Sequence, residues 1–195
     1  MSPADAPIRA WHVCVAGFLQ TEGEPTGIVR LWRRLHQQHS DPRTRVELRS
    51  WADRTDTLAE LIWRLRPDNH PPLIRLYGYS WGGAACVRLA RDLQKRGLPV
   101  ASMVLSDAVY RHPYWAGNWR AFVPLSRLVV PANVREVFWF RQQNNWPSGH
   151  TLVAAYPQTV IHPAHVIGWF GHQYMDDLDE FHRLAEHVAR GASEV

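Results

Sequence analysis

At 195 residues, with 46% hydrophobic and 21% charged side chains, the chain can bury a substantial core and has the composition of an ordinary globular protein. No apolar run approaches the ~20 residues that cross a bilayer, and Met1 to Gln20 lacks the basic-then-apolar order of a signal peptide, so a cytoplasmic location is expected. The net charge of +4 comes almost wholly from arginine, since Lys95 is the only lysine; scattering singly or in pairs such as Arg33 and Arg34 favours solvated helix faces over a nucleic-acid surface.

Short apolar runs alternate with amphipathic segments, the pattern of strands and crossover helices in a parallel sheet. Residues 11–17 read as a buried strand, and 25–38 as a helix with Ile28, Leu31, Trp32 and Leu35 on one face. Residues 45–49 alternate as a strand. The stretch 57–65 reads as a helix opened by Thr57 and Glu60 at capping-box spacing, with Leu58, Leu61, Ile62 and Leu65 together and Trp63 expected in the core. Residues 72–78 form the next strand. From Trp81 the period becomes helical, with Ala85, Cys86, Leu89, Ala90 and Leu93 inward, and Gly97 and Pro99 end that helix.

Strands follow at 100–106 and 135–140, and a sixth is expected within 158–168. A last helix is expected to begin near Asp176, with Asp177, Asp179 and Glu180 in its first turn and Leu178, Phe181, Leu184 and Val188 buried. Cys14 and Cys86 fall in apolar patterns and read as small core residues rather than a disulfide. Without repeats or a linker, the expectation is one domain over 1–195: a three-layer α/β/α sandwich with a mostly parallel sheet of about six strands.

The most informative stretch is Tyr77-Gly78-Tyr79-Ser80-Trp81-Gly82-Gly83, where Ser80 joins a strand to a helix inside G-x-S-x-G. A chain that reverses this sharply strains the serine and projects its hydroxyl beyond the sheet edge. Side chains two residues to either side would collide, and glycine stands at both places. The helix N-terminus behind the serine offers N–H groups where an oxyanion would form. A glycine-rich turn with an incidental serine is the plain alternative.

On these residues the chain resembles the α/β-hydrolase superfamily, most closely its small lipase- or esterase-like members without a separate cap domain. The resemblance lies in element order more than in residue identity. It implies that Ser80 is the nucleophile and that the Trp81 N–H is one oxyanion donor. The second donor then belongs after the first strand, in Ala16-Gly17-Phe18-Leu19, where Ala16 replaces the family's usual histidine. Phe18 is the expected donor, with Leu19 next, unless Gly17 only ends the strand.

The same resemblance places the acid after the strand that follows the nucleophile helix, or after the next one. Asp107 ends the first of these; the second offers Asn144 and Asn145 but no carboxylate. Asp107 is therefore the expected acid, the alternatives being a loop residue or a cap, and Asp176 and Asp177 read as helix starters. The base must follow 107. His172 matches the family's histidine between last strand and last helix, with His162 and His165 as alternatives within or just before the strand. His162, His165, His172 and Asp176 are clustered, but H-x-x-H in a strand is not a ligand spacing, so no metal and no cofactor are expected.

Residues 108–125 carry Tyr110, Tyr114, Trp115, Trp119 and Phe122. They can line an acyl or aryl pocket, with Leu19, or form a short lid, or only pin a long loop to the sheet. The expected function is hydrolysis of a small-molecule carboxylic ester or thioester by a Ser-His-Asp triad, which thioesterases and acyltransferases share. A catalytically silent binding protein of the same fold is the alternative.

Overall fold

The computed structural model describes residues 7–18, 20, 26–68, 70–110 and 127–191. In chain order these form β1 (Ala10–Ala16), α1 (Gly27–Gln38), β2 (Thr44–Ser50), α2 (Thr55–Arg64), β3 (Leu73–Tyr79), α3 (Trp81–Gln94) and β4 (Val100–Ser106). There follow β5 (Arg127–Val130), β6 (Val134–Gln142), β7 (Thr151–Ala154), β8 (Val160–Ile161), β9 (His165–Ile167), a 3₁₀ turn (His172–Tyr174) and α4 (Asp179–Ala189). The main sheet runs β2-β1-β3-β4-β6-β8, with β9 pairing farther along β6. Each of its pairings is parallel.

Parallel strands need crossovers, and the helices cover both faces of the sheet. Alternation divides each strand between two layers. Trp11, Val13 and Val15 of β1 join Leu76, Met103 and Leu105 in a core under α2 and α3. Cys14, Tyr77, Val104, Phe138 and Phe140 face a second core under α1 and α4, filled by Ile28, Leu31, Leu35, Phe181 and Leu184. Trp11 is fully buried, and truncating such a residue to alanine typically costs about 3–5 kcal/mol.

Several elements depart from expectation. A two-stranded parallel sheet, β5 with β7, was not foreseen, since four-residue strands carry little periodicity. The sixth strand is split: β8 pairs with Glu136 and Val137, and β9 resumes at Phe140 to Gln142. Helix α2 starts at Thr55, so Thr57 lies inside its first turn and no capping box forms. Glu60 instead pairs with Arg64 and Arg96. Trp63 is 38% exposed, with the Arg66 guanidinium over its ring, because it falls off the apolar stripe of α2. Helix α4 begins at Asp179, later than expected, because a 3₁₀ turn and the turn and bend residues after it occupy 172–177, with Leu178 extended ahead of the helix.

Candidate active site

Ser80 stands between β3 and α3 at φ 54° and ψ −125°, a conformation that L residues seldom adopt. Its backbone N–H donates to the Ser106 carbonyl at 3.1 Å, and its own carbonyl accepts from Gly83 and Val109 at 3.0 Å. Both motif glycines are there for closeness. A Cβ on Gly78 would stand 2.8 Å from Cys86 Sγ, and one on Gly82 would stand 2.1 Å from the Val15 carbonyl oxygen. Any larger residue would push α3 off the sheet.

Asp107 follows β4 at φ 43°; with Ser80 it is one of two non-glycine residues at positive φ among the described residues. Such positions cost on the order of 1–3 kcal/mol each and persist only where the surroundings hold them. Here the Asp107 N–H donates to the Phe140 carbonyl at 2.8 Å. The carboxylate is wholly buried. Its Oδ1 accepts from the backbone N–H groups of Gln142 at 3.1 Å and Gly149 at 2.7 Å. Its Oδ2 accepts from Gln142 Nε2 at 3.3 Å and faces His172 Nδ1 at 2.6 Å.

The other ring nitrogen of His172, Nε2, lies 2.9 Å from Ser80 Oγ. With an acceptor-only carboxylate at Nδ1, the neutral ring carries its proton there and leaves Nε2 free to accept from the serine. The His172 backbone is pinned at both ends: its N–H donates to Asn145 Oδ1 at 2.7 Å, and its carbonyl accepts from the Tyr79 hydroxyl at 2.7 Å. Burial, helped by the nearby charges of Asp176, Asp107 and Asp177, pushes the Tyr79 phenol well above its ordinary range, so it stays a donor. Its ring stacks on the imidazole with centroids 5.3 Å apart.

The turn after β1 abuts Ser80. A Cβ on Gly17 would stand 3.1 Å from Ser80 Cβ. The Gly17 N–H donates to Gln20 Oε1 at 2.9 Å, and Gln20 Nε2 donates to Asp176 Oδ2 at 2.6 Å. That oxygen also accepts from the Ile28 N–H at 3.1 Å, so Asp176 serves the start of α1 rather than the start of α4. Burial raises the Asp176 carboxyl above its ordinary value, opposed by the Gln20 and Ile28 bonds. Asp177 pairs instead with Arg30.

Phe18 is 47% exposed, and its ring meets Trp81 at 4.5 Å and Trp51 at 5.8 Å. Trp51 in turn meets Trp81 at 4.8 Å, and these three rings make an apolar surface beside Ser80. Tyr110 packs partly buried against the α2/α3 core, its N–H donating to His150 Nδ1 at 2.8 Å. Leu19, Tyr114, Trp115, Trp119 and Phe122 lie outside the described residues. His162 and His165 stack on Phe138 and Phe140 of β6. A cavity of about 400 Å³ between β2, α2 and α3 is lined by Val15, Leu58, Ala85 and Leu89 among others, and neither Ser80, Asp107 nor His172 lines it.

Sequence reasoning passed over Gln142, Gly149, Asn145, Gln20 and Trp51, and assigned Asp176 elsewhere. Only Asn145 had a signal, its place after the strand that could have carried an acid. Among the described residues, no group of three or more His, Cys, Asp or Glu is arranged to hold a metal ion, and no helix is long and apolar enough to cross a membrane.

Comparison with known proteins identifies a family for the chain. The thioesterase domain family matches residues 24–122, just over half of the chain, a span that includes Ser80, Trp81 and Asp107. No curated protein matches the chain. Among solved structures, it is similar to the RedJ thioesterase from the prodiginine biosynthetic pathway in Streptomyces coelicolor, at 15% identity over 98% of this chain and 92% of that one, with a TM-score of 0.42. The chain belongs to the thioesterase domain family, within the α/β-hydrolase superfamily, and is a hydrolase of the serine esterase and thioesterase type.

Proposed function

We propose that the chain, acting as one domain, hydrolyses a small-molecule ester or thioester through Ser80, His172 and Asp107. The observation that carries this reading is the unbroken relay from Ser80 Oγ to His172 Nε2 at 2.9 Å and from His172 Nδ1 to Asp107 Oδ2 at 2.6 Å. Ser80 Oγ attacks the acyl carbon while its proton passes to His172 Nε2, and the carbonyl electron pair moves onto oxygen. The Phe18 and Trp81 backbone N–H groups receive that oxyanion. As the tetrahedral intermediate collapses, the C–O or C–S bond breaks and the imidazolium returns its proton to the leaving alcohol or thiol.

A water then gives its proton to His172 and attacks the acyl-enzyme, releasing acid and restoring Ser80. Throughout, Asp107 stabilises the imidazolium without taking its proton. The rings of Phe18, Trp51 and Trp81 support an apolar acyl group beside the serine, with Leu19, Tyr110, Tyr114, Trp115 and Trp119 as further candidate pocket residues. Labelling by a fluorophosphonate, together with turnover of p-nitrophenyl and acyl-thioester substrates of rising chain length, tests the reading. Wild-type protein should label and turn over, and Ser80→Ala should do neither, with kcat down on the order of 10⁶. Unlabelled wild type, or a Ser80→Ala variant with near-native turnover, would overturn it; the first result would leave a silent binding protein.

A further inference from the structure

We infer that Gln20 is a positioning residue for catalysis: through Asp176 it locks the turn carrying the oxyanion donor to the loop carrying the base. This rests on Ser80 and His172 acting as proposed above.

The turn after β1 is closed on itself twice. The Gln20 N–H reaches the Gly17 carbonyl at 3.4 Å, and Gln20 Oε1 accepts from the Gly17 N–H at 2.9 Å. The amide thereby takes up the Gly17 N–H, the donor immediately before that of Phe18. Its other end donates to Asp176 Oδ2 at 2.6 Å, a charge-assisted bond across 156 positions of chain.

Asp176 is itself held by contacts on several sides. It is 1% exposed, its carbonyl accepts from His182 Nε2 at 2.7 Å, and a Cβ on Gly27 would stand 1.9 Å from its carbonyl oxygen. The preceding carbonyl, of Met175, accepts from Ser106 Oγ at 2.6 Å, and the Met175 N–H donates to the His172 carbonyl at 3.2 Å. The loop that holds the imidazole is thus fastened to β4 and α4, and the Gln20 side chain carries a hydrogen-bonded link from it to the turn beside Ser80. An oxyanion site works only if its donors stand where charge will develop before it does. The amide makes both ends of this link, because its oxygen accepts from an N–H while its nitrogen donates to a carboxylate, and a thioether in its place makes neither.

Gln20 is partly exposed, so exchange for an apolar residue of the same length leaves the cores untouched. Gln20→Met should lower kcat on the order of 10²-fold, as loss of an oxyanion donor does. KM should stay within about threefold of wild type. The pH at which kcat/KM rises should not move, and the downfield proton resonance of the His172–Asp107 bond should persist. A kcat within about threefold of wild type overturns the inference. So does a loss accompanied by a moved pH limb or a vanished resonance, because Gln20 would then act on the base.

Should Gln20→Met fail to fold by circular dichroism, Gln20→Glu decides. It keeps an acceptor for the Gly17 N–H but sets a second carboxylate against Asp176, and kcat should fall at least about tenfold with KM within about threefold of wild type. A kcat within about threefold of wild type overturns the inference. Failure of the parent reading is seen separately, as wild-type protein that neither labels nor turns over.

Discussion

Two histidines at opposite ends of the same sheet show how little residue type decides. His172, beyond the C-terminal edge, has a carboxylate at one ring nitrogen and a hydroxyl at the other. His12, on β1 near the N-terminal edge, is 1% exposed, bonded through Nδ1 to the Tyr77 hydroxyl at 3.0 Å and stacked on His39 at 4.3 Å. Burial first, then the charges of His39 and Arg75, lower the His12 pKa to about 3. In register with it, Arg75, Ser102 and Glu136 continue a polar row across β3, β4 and β6. At one edge the imidazole is provided with somewhere to send a proton and a partner for the charge that results. At the other it is kept neutral, and its role is packing. A carboxylate aimed at the far nitrogen is what sets the proposed base apart from the buried filler.

Removing that acid should break the contrast most severely. Asp107→Asn keeps the size of the group but presents an amide to Nδ1, and kcat should fall on the order of 10⁴-fold with the fold intact by circular dichroism. A nearly silent variant would mean that the buried carboxylate serves only the 142–149 loop.

The opposite edge should speak through stability instead. The folded His12 pKa of about 3 lies below its unfolded value, so the native state refuses a proton that the unfolded chain accepts. Its contribution is fully present above about pH 6.5 and is lost as pH falls toward 3. His12→Phe should flatten the decline of urea-unfolding free energy between neutral pH and pH 4 while leaving kcat unchanged. An acid limb as steep as the wild type's would assign that decline to other groups.

A finer adjustment is available at Asn145, whose Oδ1 accepts from the His172 N–H at 2.7 Å. Asn145→Ala should leave the acid–base pair chemically intact but looser, lowering kcat about tenfold. A crystal structure with an unmoved imidazole and unchanged turnover would show that Tyr79 is hold enough.

The parts that were legible in the sequence are local ones. Strand-to-helix alternation and the glycines around Ser80 are short-range consequences of backbone sterics, and β1, α1, β3, α3 and β4 fall within a few residues of where the pattern puts them. Asp107 and His172 were proposed from a resemblance in element order, and they lie side by side because strand ends converge on one edge of a parallel sheet. The contacts of Gln20, Gln142 and Gly149 were not legible. Each lies 35 or more positions from its partner, and nothing local marks a glutamine as the holder of a distant carboxylate. Asp176 was misassigned for a related reason: acids before a helix usually start it, and here the helix it serves is α1, 148 positions earlier.

The two cysteines have a use that follows from where they sit. Cys14 lies in the layer under α1 and α4, Cys86 in the layer under α2 and α3, and both are free and fully buried. Burial pushes both thiols up, so neither is a ready nucleophile while the protein stays folded. A thiol reagent should therefore act as a clock on each layer separately: alkylation of Cys14 times the parting of the first pair of helices, and alkylation of Cys86 times the second. Because Cys86 Sγ lies against Gly78, its reaction also reports when the ground beneath the serine gives way, and mass spectrometry of the two peptides would tell which side of the sheet lets go first.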